Sequence, residues 1–559
     1  MDVRALVEET LDGYFGHYPV AATEAGNHTH DDRWPDLTDA GRSARLAFLA
    51  DAEARLAGLE SAGLTRDEAI DLRILLAYLR AAQFNEATLQ EDRWSPMSYV
   101  YLFGNGLFPL IARPFAPPAV RLRSVAARLR ALPAALELAR AALEHPGERP
   151  VSAFHAERAV ATMPGVADLA RTALAEAQAT GDPDLVDELR PAVEAAVGAV
   201  EAHTAWLRDD LLPRATGGFR LGAELYEQKF RHALKSDRTP EDLKTRAAQA
   251  FIEVRAEMVR LARDLWSDWV GSEPPPADDG TVVRGVLDAI ATDHPRADEL
   301  LDFCRAENAR IEAFIGERDL LGLTDEPLEI VWTPQFLRAF GGAMLIPPGP
   351  LDRGLSSFFA ITPTPDEWSD AQKESYLRED NARMLRLLTI HEAVPGHYTQ
   401  LAYSNRSTSP VRAIFQSGVF AEGWAVYVTQ VMMDIGYGSD DSALMLVHWK
   451  FYLRSITNAL MDIGIHAGQM EREEAMRLMV EDGFQEEAEA ANKWDRARLS
   501  STQLCEYFLG SVEMHDLEAT ARKATASDGG EFRYRPFLES VLAHGTPPTP
   551  IIREILFGS

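Results

Sequence analysis

Seven consecutive residues constrain this chain more than any other stretch: His391-Glu392-Ala393-Val394-Pro395-Gly396-His397. They follow a helix-periodic segment, 371–390, in which Leu377, Met384 and Leu388 form an apolar stripe that His391 continues. The first histidine is therefore expected to point inward. A zinc-peptidase helix places its histidines at i and i+4, because those positions share a face. Here the second histidine comes at i+6. On a straight helix that leaves the two side chains ~120° apart around the axis, with ~9 Å of rise. Two nitrogens at ~2.0–2.1 Å from one ion cannot be so far apart. Pro395 offers no N–H to the carbonyl of His391 and crowds it, and Gly396 tolerates the geometry of a bulge. The spacing predicts a break between Ala393 and His397 that swings His397 back toward His391.

A third ligand is sought on the next helical segment, 411–433. Phe415, Val419, Glu422, Val426, Thr429 and Met433 recur there at helical spacing, so Glu422 sits in a mostly apolar face. An unpartnered buried carboxylate costs several kcal/mol, which either a metal or an arginine would relieve. Its place on the helix after the second histidine favours the metal. Two histidines, one glutamate and an open position describe a catalytic zinc site rather than a closed structural one. Glu392 then stands where a general base takes a proton from water and passes it to a leaving group.

Composition narrows the setting. The chain has 559 residues, with 56 Lys+Arg against 86 Asp+Glu and a formal charge of −30. Such a charge argues against nucleic acid and anionic membranes as partners. Hydrophobic residues at 46% exclude a disordered chain. The two cysteines, Cys304 and Cys505, can form neither a disulfide framework nor a thiolate zinc site, and point to a reducing compartment. The first ten residues carry acids where a signal peptide needs a basic start, and no uncharged apolar run of about 18 residues occurs. A cytoplasmic protein is expected.

Helical periodicity is read at 42–62, 66–83, 119–132, 134–145, 183–208, 241–269 and 297–315, with Pro133 and Pro146-Gly147 marking helix ends. The Pro- and Gly-rich stretch 271–280 reads as a linker, giving a helical N-terminal region, 1–275, and a catalytic region, 276–559. Three strands are expected at Leu328–Trp332, 342–346 and 357–362. The expected fold is mainly α: a large enclosing helical structure with a small antiparallel sheet beside the metal helix. The N-terminal helices would wall a cleft that admits short peptides. Gly341, Gly342 and Ala343 would let a substrate backbone approach an edge strand, with Gly342 and Ala343 binding it.

The chain resembles the bacterial family termed domain of unknown function 885, which looks like a branch of the gluzincin metallopeptidases. His391–His397 matches its His-Glu-x-x-Pro-Gly-His motif, and Glu422-Gly423-Trp424-Ala425 its Glu-Gly-Trp-Ala block. The resemblance implies Zn²⁺ held by His391, His397 and Glu422. A third block, Gln-Ala-Leu-Ala-Tyr, matches here at Gln503 and Tyr507, implying Gln503 near substrate and Tyr507 as a donor to the oxyanion. Further matches are the segment from Ala25 through His28 to Asp32, Gly217–Gly222 with Tyr226, and Asp462–His466, the last implying His466 as a substrate contact. The family usually has Arg where Asn458 stands and His where Leu538 stands. These departures imply an altered substrate more than a lost activity.

Three functions compete: a zinc hydrolase of peptide or amide bonds, a metal-dependent lyase on a small amino-acid-like molecule, and a helical binding protein with a vestigial site. Glu392 counts against the third.

Overall fold

The computed structural model describes residues 3–59, 63–333, 342–365 and 368–558. Helices dominate, and the chain divides into two units: Met1–Arg220 with Pro348–Leu355, and Leu221–Pro347 with Ser356–Ser559.

The first unit is helical, with α1 (Asp39–Ala57), α2 (Arg66–Phe84), α3 (Met97–Ala112), α4 (Pro118–Glu144) and α5 (Pro183–Trp206) among its elements. Helix α4 runs unbroken through Pro133, where two helices were expected. A missing N–H and the clash with residue i−4 cost about 3 kcal/mol. The buried stripe on either side, Leu122, Val125, Leu129, Leu132, Leu136 and Leu143, outweighs that cost by packing on α5. Its N-terminal motif assembles around Asp31 and His28. Thr23 donates to Asp31 at 2.7 Å, and His28 bridges Asp31 and Asp352 at 2.7 and 2.9 Å. The His28 ring stacks on Phe115. Leu351 N–H donates to the Ala25 carbonyl, and a β-carbon on Gly349 would fall 2.7 Å from backbone atoms of Glu24 and Gly26, so only glycine fits there.

The second unit begins with α6 (Ala223–Leu234), α7 (Pro240–Trp269), α8 (Asp279–Ile290) and α9 (Leu300–Arg318). The proline-rich stretch 271–280 joins α7 to α8 within this unit. It is a helix–helix connection rather than the expected boundary, because α7 carries its own buried stripe, Leu243 to Leu265, into the packing of this unit. Strands β1 (Leu328–Trp332), β2 (Ala343–Ile346) and β3 (Ser357–Ile361) follow, in the order β1-β3-β2. The expected sheet was antiparallel; the observed one is mixed. β2 pairs antiparallel with β3, and β1 pairs parallel with it on the other side, Leu328 opposite Ser357. With β2 on the far side of β3, the chain between β1 and β3 acts as the crossover that a parallel pair needs.

Helices α10 (Asp370–Glu379), α11 (Ala382–Glu392), α12 (His397–Ser404), α13 (Gly418–Asp434), α14 (Ser442–His466), α15 (Glu487–Leu499) and α16 (Cys505–Ser527) complete the part that carries the site. Two expected helices are each divided. Asn381 caps α11 by accepting from Arg383 and Met384 N–H, so the metal helix starts there and not at 371. Ser417 caps α13 through Phe420 N–H, which leaves Phe415 outside it. Helices α7 and α14 pack along each other, as do α13 and α16.

Candidate metal centre

Helix α11 ends at Glu392, and α12 starts at His397, so the chain breaks where the motif requires. The break is held from both sides. A β-carbon on Gly396 would fall 1.9 Å from the His391 carbonyl oxygen, so only glycine lets the chain turn back this tightly. The buried Trp424 donates its indole N–H to the Pro395 carbonyl at 2.9 Å, tying the turn to α13. The result brings the rings of His391 and His397 to 4.8 Å between centroids, nearly perpendicular.

Glu422 completes the cluster from α13. Its Oε2 lies 3.3 Å from His397 Nε2 and 3.8 Å from His391 Nε2. One ligand atom from each of the three residues lies within 4.8 Å of the others, and among the described residues no other such cluster of metal-ligating side chains occurs. Tetrahedral ligands at ~2.0–2.2 Å from one ion stand roughly 3.5 Å apart. Glu422 Oε2 is buried yet forms no hydrogen bond of good geometry, an orphaned acceptor facing two imidazole nitrogens. The donor set and this orphan fit a divalent cation. Burial alone would raise the Glu422 carboxyl, but His397 and His391 hold it well below the usual carboxylate range.

Glu392 reaches the sheet. Its Oε2 accepts the Leu345 N–H of β2 at 2.9 Å. Of the residues proposed to meet a substrate backbone, Gly341 lies outside the described residues. The Gly342 carbonyl accepts Thr362 N–H and so faces β3. By the alternation of an antiparallel ladder, Ala343 and Leu345 direct their main-chain groups away from β3.

Tyr507 approaches from the first turn of α16 and Gln503 from the turn just before that helix. This helix meets α13 backbone to backbone: a β-carbon on Gly423 would fall 2.3 Å from the Gly510 carbonyl carbon, and one on Gly510 would fall 2.0 Å from the Val419 oxygen. Gly423, beside Glu422, therefore sets how near Tyr507 comes to the cluster. Tyr507 Oη accepts from Arg496 Nη2 at 3.0 Å and faces Gln503 Nε2 at 3.4 Å. Burial and then the Glu422 charge push its phenol up to about 12, so it keeps its proton at neutral pH. The same two influences raise Glu506 to about 8; its carboxylate lies over Gly418, one turn before Glu422.

Two of the weaker motif matches, at Tyr226 and at Asp462–His466, meet around the start of α16. Tyr226 donates to Asp462 Oδ1 at 2.7 Å, and Thr502 N–H donates to the same oxygen at 2.9 Å. That holds Thr502 at φ +72°, a region a β-branched residue seldom occupies, just before Gln503. His466 is buried away from the cluster. Its ring lies parallel to that of Tyr226, and its Nε2 faces the carbonyls of Ala497 and Ser500 at 2.8 and 3.0 Å. It thereby pins the end of α15, the helix that carries Arg496. Arg496 and Glu506 were not found from sequence: neither falls at a spacing that marks a site, and a charged residue on a helix is ordinarily solvated.

Fold and cluster together define a mainly helical protein built around a two-histidine, one-glutamate site with a small mixed sheet at its side. The chain belongs to the family described as bacterial protein of unknown function, DUF885, whose family model matches residues 19–556. A presumed lipoprotein of unknown function from Shewanella oneidensis has a similar structure, with 31% identity, full coverage of both chains and a TM-score of 0.86. A presumed lipoprotein from Colwellia psychrerythraea shares the fold at 16% identity and TM-score 0.79, over 99% of this chain and 97% of its own. No curated protein matches the chain.

The first of these neighbours overturns the cytoplasmic placement, since that protein, 31% identical over its whole length, is described as a lipoprotein. An acidic balance and scarce cysteines are compatible with either setting, so they never separated the two. Among the described residues no helix is long and apolar enough to cross a membrane.

Proposed function

We propose that the protein is a zinc-dependent hydrolase of peptide or amide bonds in short peptides or amino-acid conjugates. The observation that carries this reading is the convergence of His391, His397 and Glu422 with Glu392 one residue away and anchored to β2. A zinc ion bound there supplies Lewis acidity, polarising a carbonyl and lowering the pKa of water toward ~7.

The chain's own residues do the rest. Leu345 N–H fixes one oxygen of Glu392 and leaves the other to take the proton of the attacking water. Glu392 then delivers that proton to the leaving nitrogen. Tyr507 Oη faces donors from Arg496 and Gln503, so its own hydrogen is directed elsewhere, available to the oxyanion that develops on the attacked carbonyl. The outward main-chain groups of Ala343 give an extended peptide a strand edge to pair with.

The test is product analysis by mass spectrometry on a peptide library and a set of amino-acid conjugates, with zinc-loaded protein, chelated protein and Glu392→Gln. Products gaining the mass of water, with zinc and Glu392 both required, are expected. Elimination products, or no turnover, would sink the reading.

A further inference from the structure

The cations of α14 and α15 are mostly committed. Arg454 pairs with Glu489, Lys493 lies 3.6 Å from the same carboxylate, Lys450 holds Glu379 at 3.1 Å and Arg498 pairs with Asp495. Arg496 differs. Its Nη2 donates to Gln503 Oε1 at 2.9 Å and to Tyr507 Oη at 3.0 Å, both neutral acceptors. Among the described residues no carboxylate comes within ion-pair distance of it. Its side chain is solvent-accessible, yet it is near enough to the cluster to feel the charge of Glu422, as Tyr507 does. A guanidinium held by one terminal nitrogen presents the hydrogens of Nε and Nη1 to whatever enters.

We infer that Arg496 recognises a free carboxylate on the substrate, which makes the favoured substrates peptides or amino-acid conjugates cut next to a carboxy-terminal residue. This rests on reading the cluster as hydrolytic and on Tyr507 facing the attacked carbonyl. Ordinary hydrogen-bond lengths place a carboxylate on Nη1 about 5–6 Å from Tyr507 Oη. The carbonyl oxygen that accepts from Tyr507 stands one hydrogen-bond length, about 2.7 Å, from Oη, so the carboxylate of the residue that follows it comes within reach of Nη1. An internal peptide bond would place a neutral amide against the guanidinium instead of an opposite charge, so longer chains are disfavoured. Arg496 is thus a specificity-determining residue that also orients Tyr507. The Asp462–Thr502 and His466–α15 contacts are what hold the two together.

The experiment separates this from the hydrolase reading by measuring binding without turnover. Glu392→Gln protein, zinc-loaded and metal-free, is titrated calorimetrically with N-acetyl-dialanine and with its carboxamide. The free acid is expected to bind at least about tenfold more tightly in both metal states. Adding Arg496→Gln removes the difference while the affinity for the carboxamide is kept, and Arg496→Lys retains part of the preference. Equal binding of the two probes, no binding of either, a preference that survives in Arg496→Gln, or one that disappears with the metal would each overturn the inference. If Arg496→Gln fails to fold by circular dichroism, the Arg496→Lys series decides: an undiminished preference there counts against it. Absence of hydrolysis by the unsubstituted, zinc-loaded protein would remove the hydrolase reading and leave the probe comparison to decide the role of Arg496.

Discussion

The main-chain N–H of Leu345 donates to Oε2 of Glu392 at 2.9 Å, so a strand edge and the end of the metal helix share one carboxylate. The bond fixes the side chain without using its second oxygen. It also couples the position of a proton acceptor to the strand that a substrate backbone would join.

Replacing Glu392 by Gln keeps an oxygen for the Leu345 amide, so the fold and the zinc ligands are preserved. Turnover is expected to fall by roughly 10²–10⁴, the usual share of general acid–base catalysis. Zinc content by atomic emission should remain equal to that of the unsubstituted protein. Undiminished turnover would remove Glu392 from the mechanism.

Gly396→Ala tests the turn. Its added methyl meets the His391 carbonyl oxygen at 1.9 Å and the Ile390 oxygen at 2.3 Å, both backbone atoms that cannot swing aside. A loss of about 2–3 kcal/mol in denaturant unfolding is expected, together with weakened zinc binding as His397 is displaced. Normal zinc affinity in this variant would show that His397 is not held by the turn.

Tyr507→Phe removes the proposed oxyanion donor and keeps the ring. A fall of roughly 10²–10³ in kcat with KM nearly unchanged is expected, since the bond forms chiefly in the transition state. A change confined to KM would assign Tyr507 to ground-state binding instead.

His28 gives the first unit a pH dependence of its own. Burial would lower its pKa, but the hydrogen bonds and charges of Asp31 and Asp352 outweigh it and push the ring up to about 9. A pKa raised on folding gives stability that is complete below the unfolded value of ~6.5 and is lost as pH climbs through about 9. With the ring partly solvated, the loss should be on the order of 2 kcal/mol. Unfolding midpoints at pH 6 and pH 9.5 should differ by less in His28→Asn than in the unsubstituted chain.

What the sequence made legible was local. The break after Glu392 could be read because Pro395 and Gly396 act on their immediate neighbours, and Glu422 because an acid on an apolar face is conspicuous. The three strands showed in their β-branched and aromatic runs. The caps at Asn381 and Ser417 were hidden by apolar periodicity that continues across them, and Pro133 shows the opposite error, a breaker overruled by packing. The parallel pairing of β1 with β3 depends on which edge β2 takes, which no strand sequence states. Arg496 stayed hidden because its two partners, Gln503 just before α16 and Tyr507 within it, are brought to it by Asp462 and His466. Periodicity carries no information about such long-range convergence.

The first unit is not one continuous piece of chain. Asp352 lies 324 positions from His28, yet it completes the pair of acids that hold the ring. A gene cut after codon 220 would encode the helices and omit the segment that carries Asp352 and Gly349. During synthesis the N-terminal helices emerge first but must wait for the middle of the second unit before their own contacts close. Contacts of such sequence separation form slowly, so the last step in maturing the first unit should be the seating of residues 348–355, and a ribosome stalled before residue 348 should display a helical domain more open to protease than the finished protein.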